Sequence, residues 1–175
     1  EAFPYKDKFE KMARKLLAEE GKEKDVNIVL CTDEFVKWPW VLKNYFSGKW
    51  VKNITREKGR KIRYPLGSVA VLNGKNNVQF YLLAISTFDE NNNAHATKKS
   101  IRDSIDDLLD FYDKNGQEIP IYIPLMGVGM SRTNITHQQS LNIIKSCVLT
   151  SEDKIHGKIN ILVYEKDKDK VSIFR

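Results

Sequence analysis

Cysteine is scarce: Cys31 and Cys147 are the two in the chain, each inside an apolar stretch and neither in a CxxC pair. A disulfide framework and a cysteine zinc site are therefore not expected, and buried reduced thiols are. Histidine is nearly as sparse. His95, His137 and His156 stand apart without ligand spacing, so no metal is expected. No apolar run approaches the roughly 20 residues that span a bilayer, and no apolar signal core follows Glu1. The visible chain reads as soluble and cytoplasmic, a piece of a longer protein whose membrane tether, if it has one, lies outside it. The common catalytic signatures are missing too. There is no GxSxG, HExxH or GxxxxGK[ST] pattern, and Cys31 has no histidine near it in sequence.

At 175 residues the chain fits one domain, 1–175, with room for a sizeable core. Its net charge of +6 suits an anionic partner without identifying it. The basic residues gather in Lys49, Lys52, Arg56, Lys58, Arg60, Lys61 and Arg63, which reads first as a solvated loop. With Trp38, Trp40 and Trp50 nearby, the stretch is also a candidate nucleic-acid surface, although tryptophans more often pack in cores.

Phe9, Met12, Ala13, Leu16 and Leu17 recur at helical spacing, and Gly21 closes that helix. Val26 to Cys31 is a run of β-formers opening into Thr32 and Asp33, the pattern of a buried strand leading to a polar loop. Ser68 to Leu72 and Val78 to Ser86 predict an antiparallel hairpin around Asn73-Gly74-Lys75-Asn76-Asn77. Thr97 is placed to cap a helix whose Ile101, Ile105, Leu108, Leu109 and Tyr112 share one face, ended by Asn115-Gly116. Ile119, Ile121 and Ile123 alternate as a strand. Thr136 with Gln139 forms a capping box for a second helix, and Ile159 to Tyr164 is the last strand. Strands alternating with helices predict a layered α/β fold, in which ligands sit beyond strand ends.

Three segments stand where chemistry belongs. Ile123-Pro124-Leu125-Met126-Gly127-Val128-Gly129-Met130-Ser131-Arg132 runs from a strand into a glycine-bearing loop ahead of a helix. Gly127 and Gly129 can take positive φ and lack a Cβ, so successive amides can converge on a diphosphate, with Arg132 adding charge. The same glycines also suit a tight strand-to-helix connection. Tyr64-Pro65-Leu66-Gly67-Ser68 is a turn before a strand. Thr87, Phe88, Asp89 and Asn91 end a strand in an aromatic, acidic and amide-rich loop that can stack on a ring and bond ribose hydroxyls, or simply satisfy its own backbone.

Taken in order, these segments resemble the macro-domain proteins of the bacterial Thoeris antiphage defence system, effectors that pair with an NAD-consuming TIR partner. The resemblance spans about Arg60 to Glu165 and rests on Arg63–Ser68, Tyr81–Ala84, Phe88–Asn92 and Ile123–Met130, with residues 1–59 divergent. It implies an α/β macro-domain-like fold, a mixed sheet sandwiched between helices. It further implies that Gly127 to Ser131 wraps the diphosphate of ADP-ribose or a conjugated derivative, that Gly67-Ser68 borders the pocket and that Phe88 faces the distal ribose. Leu125, Met126 and Arg132 flank the loop, and Cys31-Thr32-Asp33-Glu34-Phe35 is the loose counterpart of the family's first binding loop, with no residue assigned to adenine. The expected role is a sensor of an NAD-derived signal, with a TIR-domain enzyme as functional partner, no resident cofactor and no nucleic acid. A homo-oligomer is compatible with that role. An ADP-ribosyl hydrolase is the alternative, for which Asp33, Asp89 or Asn91 would position water.

Overall fold

The computed structural model describes residues 25–33, 64–73, 76–89, 93–116, 119–129 and 133–174. The expected helix over Phe9 to Leu17, the tryptophan segment, the basic stretch 49–63, Asn91 and Met130, Ser131 and Arg132 lie outside them.

The described elements run β1 (Val26–Asp33), β2 (Val69–Asn73), β3 (Val78–Phe88), β4 (Ala94–His95), α1 (Lys98–Asn115), β5 (Ile121–Pro124), α2 (His137–Thr150) and β6 (Ile159–Leu162), closing with a 3-10 turn at Glu165–Lys170. The fold is a mixed α/β layer structure with a six-stranded sheet, ordered β2-β3-β1-β5-β6 with β4 added to the end of β3. β1 pairs in parallel with β3 and β5, and β5 in parallel with β6, while β2 is antiparallel to β3. The C-terminal ends of β1, β3, β5 and β6 therefore share one edge of the sheet. The start of β2 lies at that edge too.

The apolar run Ile28 to Cys31 in β1 has its cause in this position, because a central parallel strand is covered on both faces. Val26, Ile28 and Leu30 pack with Phe80, Leu82 and Tyr122 on one face. Val29 packs on the other with Tyr81, Leu83 and Ile85, against Ile101, Ile105, Leu108, Leu109 and Tyr112 of α1 and Ile143, Ile144 and Cys147 of α2. Both helices begin at the predicted threonines. The hydroxyl of Thr97 accepts the Ser100 amide and that of Thr136 accepts the Gln139 amide, each in a full capping box.

Two strand bounds differ from expectation, and the hairpin of β2 and β3 forms as expected. Its turn has Asn76 and Asn77 left-handed, with φ of 56 and 57°. The fifth strand starts at Ile121 and not Ile119, and the last ends at Leu162 and not Tyr164. Of the two free cysteines, Cys147 is buried as expected, and burial pushes the Cys31 thiol up to about 12. Burial, and then Asp106 beside it, push the Cys147 thiol up to about 12, so it stays protonated near neutrality.

The C-terminal segment is tied to the start of α2. Gln138 accepts the Ser172 amide at 2.6 Å and donates to the Ser172 carbonyl at 3.0 Å, and His137 Nε2 lies 3.3 Å from Asp167 Oδ2. Lys170, and then His137, hold the Asp167 carboxyl below the usual carboxylate range. A carboxylate with a depressed folded pKa contributes its stabilisation above its unfolded pKa and loses it as pH falls through the folded one. Acid should therefore release this segment before the core unfolds. In an NMR pH titration the Ser172 amide should shift below the ordinary carboxylate range, and Asp167→Asn should remove that transition; a Ser172 shift unaltered by Asp167→Asn refutes the linkage.

Candidate functional site

Thr32-Asp33, Gly67-Ser68, Thr87-Phe88 and Leu125 to Gly129 come together along the edge where the parallel strands end. Such an edge is where α/β sheets leave backbone groups for ligands. Between Thr32 and Asp33 the register with β3 slips, so that Thr32 faces Ala84 while Asp33 faces Ser86. The slip bends the end of β1 at the edge.

Gly67 occupies the third position of a turn in which the Ser68 amide donates to the Pro65 carbonyl at 3.1 Å. Its φ of +84° is the value a type II turn requires there, and a Cβ would collide with the Asp107 carboxylate of α1. From this turn the chain enters the sheet directly, because the Gly67 amide donates to the Ala84 carbonyl at 2.8 Å and the Ala84 amide to the Ser68 carbonyl at 3.0 Å.

The loop after β5 is built by successive commitments of its backbone. The Leu125 amide extends the ladder to the Leu162 carbonyl at 3.3 Å, and the Met126 amide donates to Ser140 Oγ of α2 at 2.8 Å. Thr133 Oγ1 then donates to the Gly127 carbonyl and accepts the Ile135 amide. After Met126 the pattern stops. Among the described residues, the amides of Gly127, Val128 and Gly129 have no hydrogen-bond partner. Gly127 is buried, Val128 half-buried and Gly129 exposed, so the row of free donors runs outward from the sheet.

The two glycines differ. Gly127 has φ of +77°, and a Cβ on it would overlap Ile101 Cδ1 of α1. Gly129 does not take positive φ, contrary to expectation, and among the described residues a Cβ on it would meet nothing within 4 Å. The first glycine is demanded by packing, whereas the second leaves open space above the backbone. Leu125 and Met126, expected among the ligand-binding residues, sit as follows. Met126 is fully buried in the core and its amide is spent on Ser140; Leu125 packs against the helix-side core with its amide in the ladder. They support the loop rather than face its open side.

On β3, Thr87 pairs with His95 and Phe88 with Ala94 of β4, and Phe88 is half-buried. Asp89 was a candidate for bonding ribose or water. Its carboxylate instead accepts the Asn93 amide at 2.8 Å and the Asn93 side chain at 3.1 Å, and lies 2.9 Å from His95 Nε2. Asp89 is thus the staple that closes its own loop, as acidic residues in such turns commonly are. Sequence reasoning missed Ser140 and Thr133. The only trace of them was a run of hydroxyl residues around the predicted capping box.

The opposite edge of the sheet spends its donors on the chain itself. Asn27 Nδ2 donates to the carbonyls of Gly116 and Ile119 at 3.3 and 3.2 Å, and the Tyr112 hydroxyl donates to Ile119 at 2.8 Å. Among the described residues, no group of His, Cys, Asp and Glu is placed to hold a metal ion, and no helix is long and apolar enough to cross a membrane.

No curated protein matches the chain. Two solved structures from Bacteroides thetaiotaomicron align with it, each with a TM-score of 0.46 over 81% of this chain. One is the structural-genomics target BtR9, 13% identical and covered over 92% of its length. The other is described as a protein of unknown function, 15% identical and covered over 90%. A family model, that of the Macro domain of the Thoeris protein ThsA, matches residues 43–164, starting before the point near Arg60 from which the resemblance was read. Since that match takes in well over half of the sequence, the chain belongs to the family of Thoeris ThsA macro domains.

Proposed function

We propose that this macro domain binds the diphosphate of an ADP-ribose-type nucleotide on the amides of Gly127, Val128 and Gly129, and acts in antiphage defence as the sensor of an NAD-derived signal supplied by a TIR-domain partner. The observation that carries the reading is the row of three consecutive amides without a partner among the described residues, at the edge where the parallel strands end. Amides converging from a loop form an anion site without any cationic side chain, and charge-assisted bonds to phosphate oxygens contribute about 1.5–3 kcal/mol each. Gly67-Ser68 and Phe88, brought to the same edge, border the nucleotide, and Phe88 supplies an aromatic face for the distal ribose or a group conjugated to it. Asp89 acts by holding that loop closed. Binding ahead of hydrolysis is favoured because its carboxylate is already committed to Asn93 and His95.

Calorimetry with ADP-ribose and with a short single-stranded oligonucleotide, each at two salt concentrations, separates this reading from a nucleic-acid surface on the basic stretch. ADP-ribose should bind one to one with a shallow salt dependence, and chromatography of the ligand after long incubation should recover it intact. Tighter oligonucleotide binding that falls steeply with salt would favour the nucleic-acid surface. Turnover of bound ADP-ribosyl compounds would make the domain a hydrolase.

A further inference from the structure

We infer that Ser140, on the first turn of α2, is a positioning residue for the ligand loop; the inference rests on the proposed reading of Gly127 to Gly129 as the anion site. Ser140 is fully buried, and its hydroxyl accepts the Met126 amide at 2.8 Å across 14 residues of sequence. A buried serine needs a reason, and a helix interior does not supply one. Met126 is the residue just before the Gly127 to Gly129 run, and its amide pairs with the protein. One residue later Thr133 clamps the Gly127 carbonyl. These two hydroxyls fix the backbone on either side of the Met126–Gly127 peptide. Ser140 therefore stands where the loop changes from bonding the protein to leaving its amides open.

Without the Ser140 hydroxyl, the buried Met126 amide has to find another acceptor, and a carbonyl of its own loop is the nearest kind available. Turning the peptide to reach one would re-aim the amides that follow it. Ser140 thus acts on ligand affinity through the backbone, without contact with ligand.

The test uses Ser140→Ala, Ser140→Cys and, as a comparison on the same helix, Cys147→Ala, whose buried thiol faces α1 rather than the loop. In Ser140→Ala, hydrogen exchange of the Met126 amide should rise at least about tenfold, and ADP-ribose affinity should fall about fivefold, the equivalent of one net hydrogen bond. Ser140→Cys keeps the volume and offers a weak acceptor, so it should move both readouts the same way by less, which keeps the test decisive if the alanine variant folds poorly. Cys147→Ala should lower the melting temperature while leaving affinity unchanged. Unchanged Met126 exchange, unchanged affinity in folded Ser140 variants, or an equal affinity loss in Cys147→Ala overturns the inference. If the wild type fails to bind ADP-ribose, the functional reading fails instead, and Met126 exchange still decides whether Ser140 sets the loop.

Discussion

Gly127→Ala should destabilise the domain by about 2–5 kcal/mol, the sum of forcing a side chain into left-handed backbone and overpacking a closed core. The φ of +77° supplies the first part and the overlap with Ile101 Cδ1 the second, and Ile101 is fully buried with no space to retreat into. For a domain of this size the melting temperature should drop by roughly 5–15 °C. A double-mutant cycle separates the two causes, because Ile101→Val deletes the methyl group that a Cβ at residue 127 would strike. Alone, Ile101→Val should cost about 0.5–1.5 kcal/mol. Combined with Gly127→Ala it should recover the steric part and leave the backbone part, giving a coupling of about 1–3 kcal/mol. Denaturant melts of the four proteins check this. A Gly127→Ala protein as stable as the wild type, or strictly additive losses, would show that the loop is not packed as described.

The difference between Gly127 and Gly129 marks where sequence reading stops. Two glycines after a strand announce a tight, backbone-led loop, and the resemblance to Thoeris macro domains ordered that loop correctly relative to the other segments. Which glycine is needed for packing depends on Ile101, 26 positions earlier, reached only once α1 lies on the sheet. The elements themselves were legible where local signals agreed. Thr97 and Thr136 stand one residue before their helices, the apolar residues of α1 recur at helical spacing, and the β-formers of β1 have the composition of a central strand. The bonds of Asp89 within its own loop were not legible, for a physical reason. Its partners Asn93 and His95 are brought to it by β4, a two-residue strand too short to show any periodicity. Ser140 was invisible because a lone serine on a helix looks the same in sequence whether it faces water or accepts a distant amide.

Gly129→Val should abolish ADP-ribose binding while leaving the fold intact. Among the described residues its Cβ would meet nothing within 4 Å, and its backbone φ is not positive, so neither cause of the Gly127 loss operates here. The stability change should stay within about 0.5 kcal/mol, as for an exposed site without special contacts. The open space is, on this account, where the diphosphate comes down onto the amides, and a β-branched side chain standing in it holds phosphate oxygens out of hydrogen-bonding range. Losing two charge-assisted bonds removes about 3–6 kcal/mol, a loss of more than about a hundredfold in affinity. Calorimetric titration of ADP-ribose into the wild type and into Gly129→Val, with melting curves of both, is the most direct test of the central claim. The account predicts one-to-one binding by the wild type and no detectable heat from an equally stable variant; a folded Gly129→Val protein that binds ADP-ribose as tightly as the wild type contradicts it.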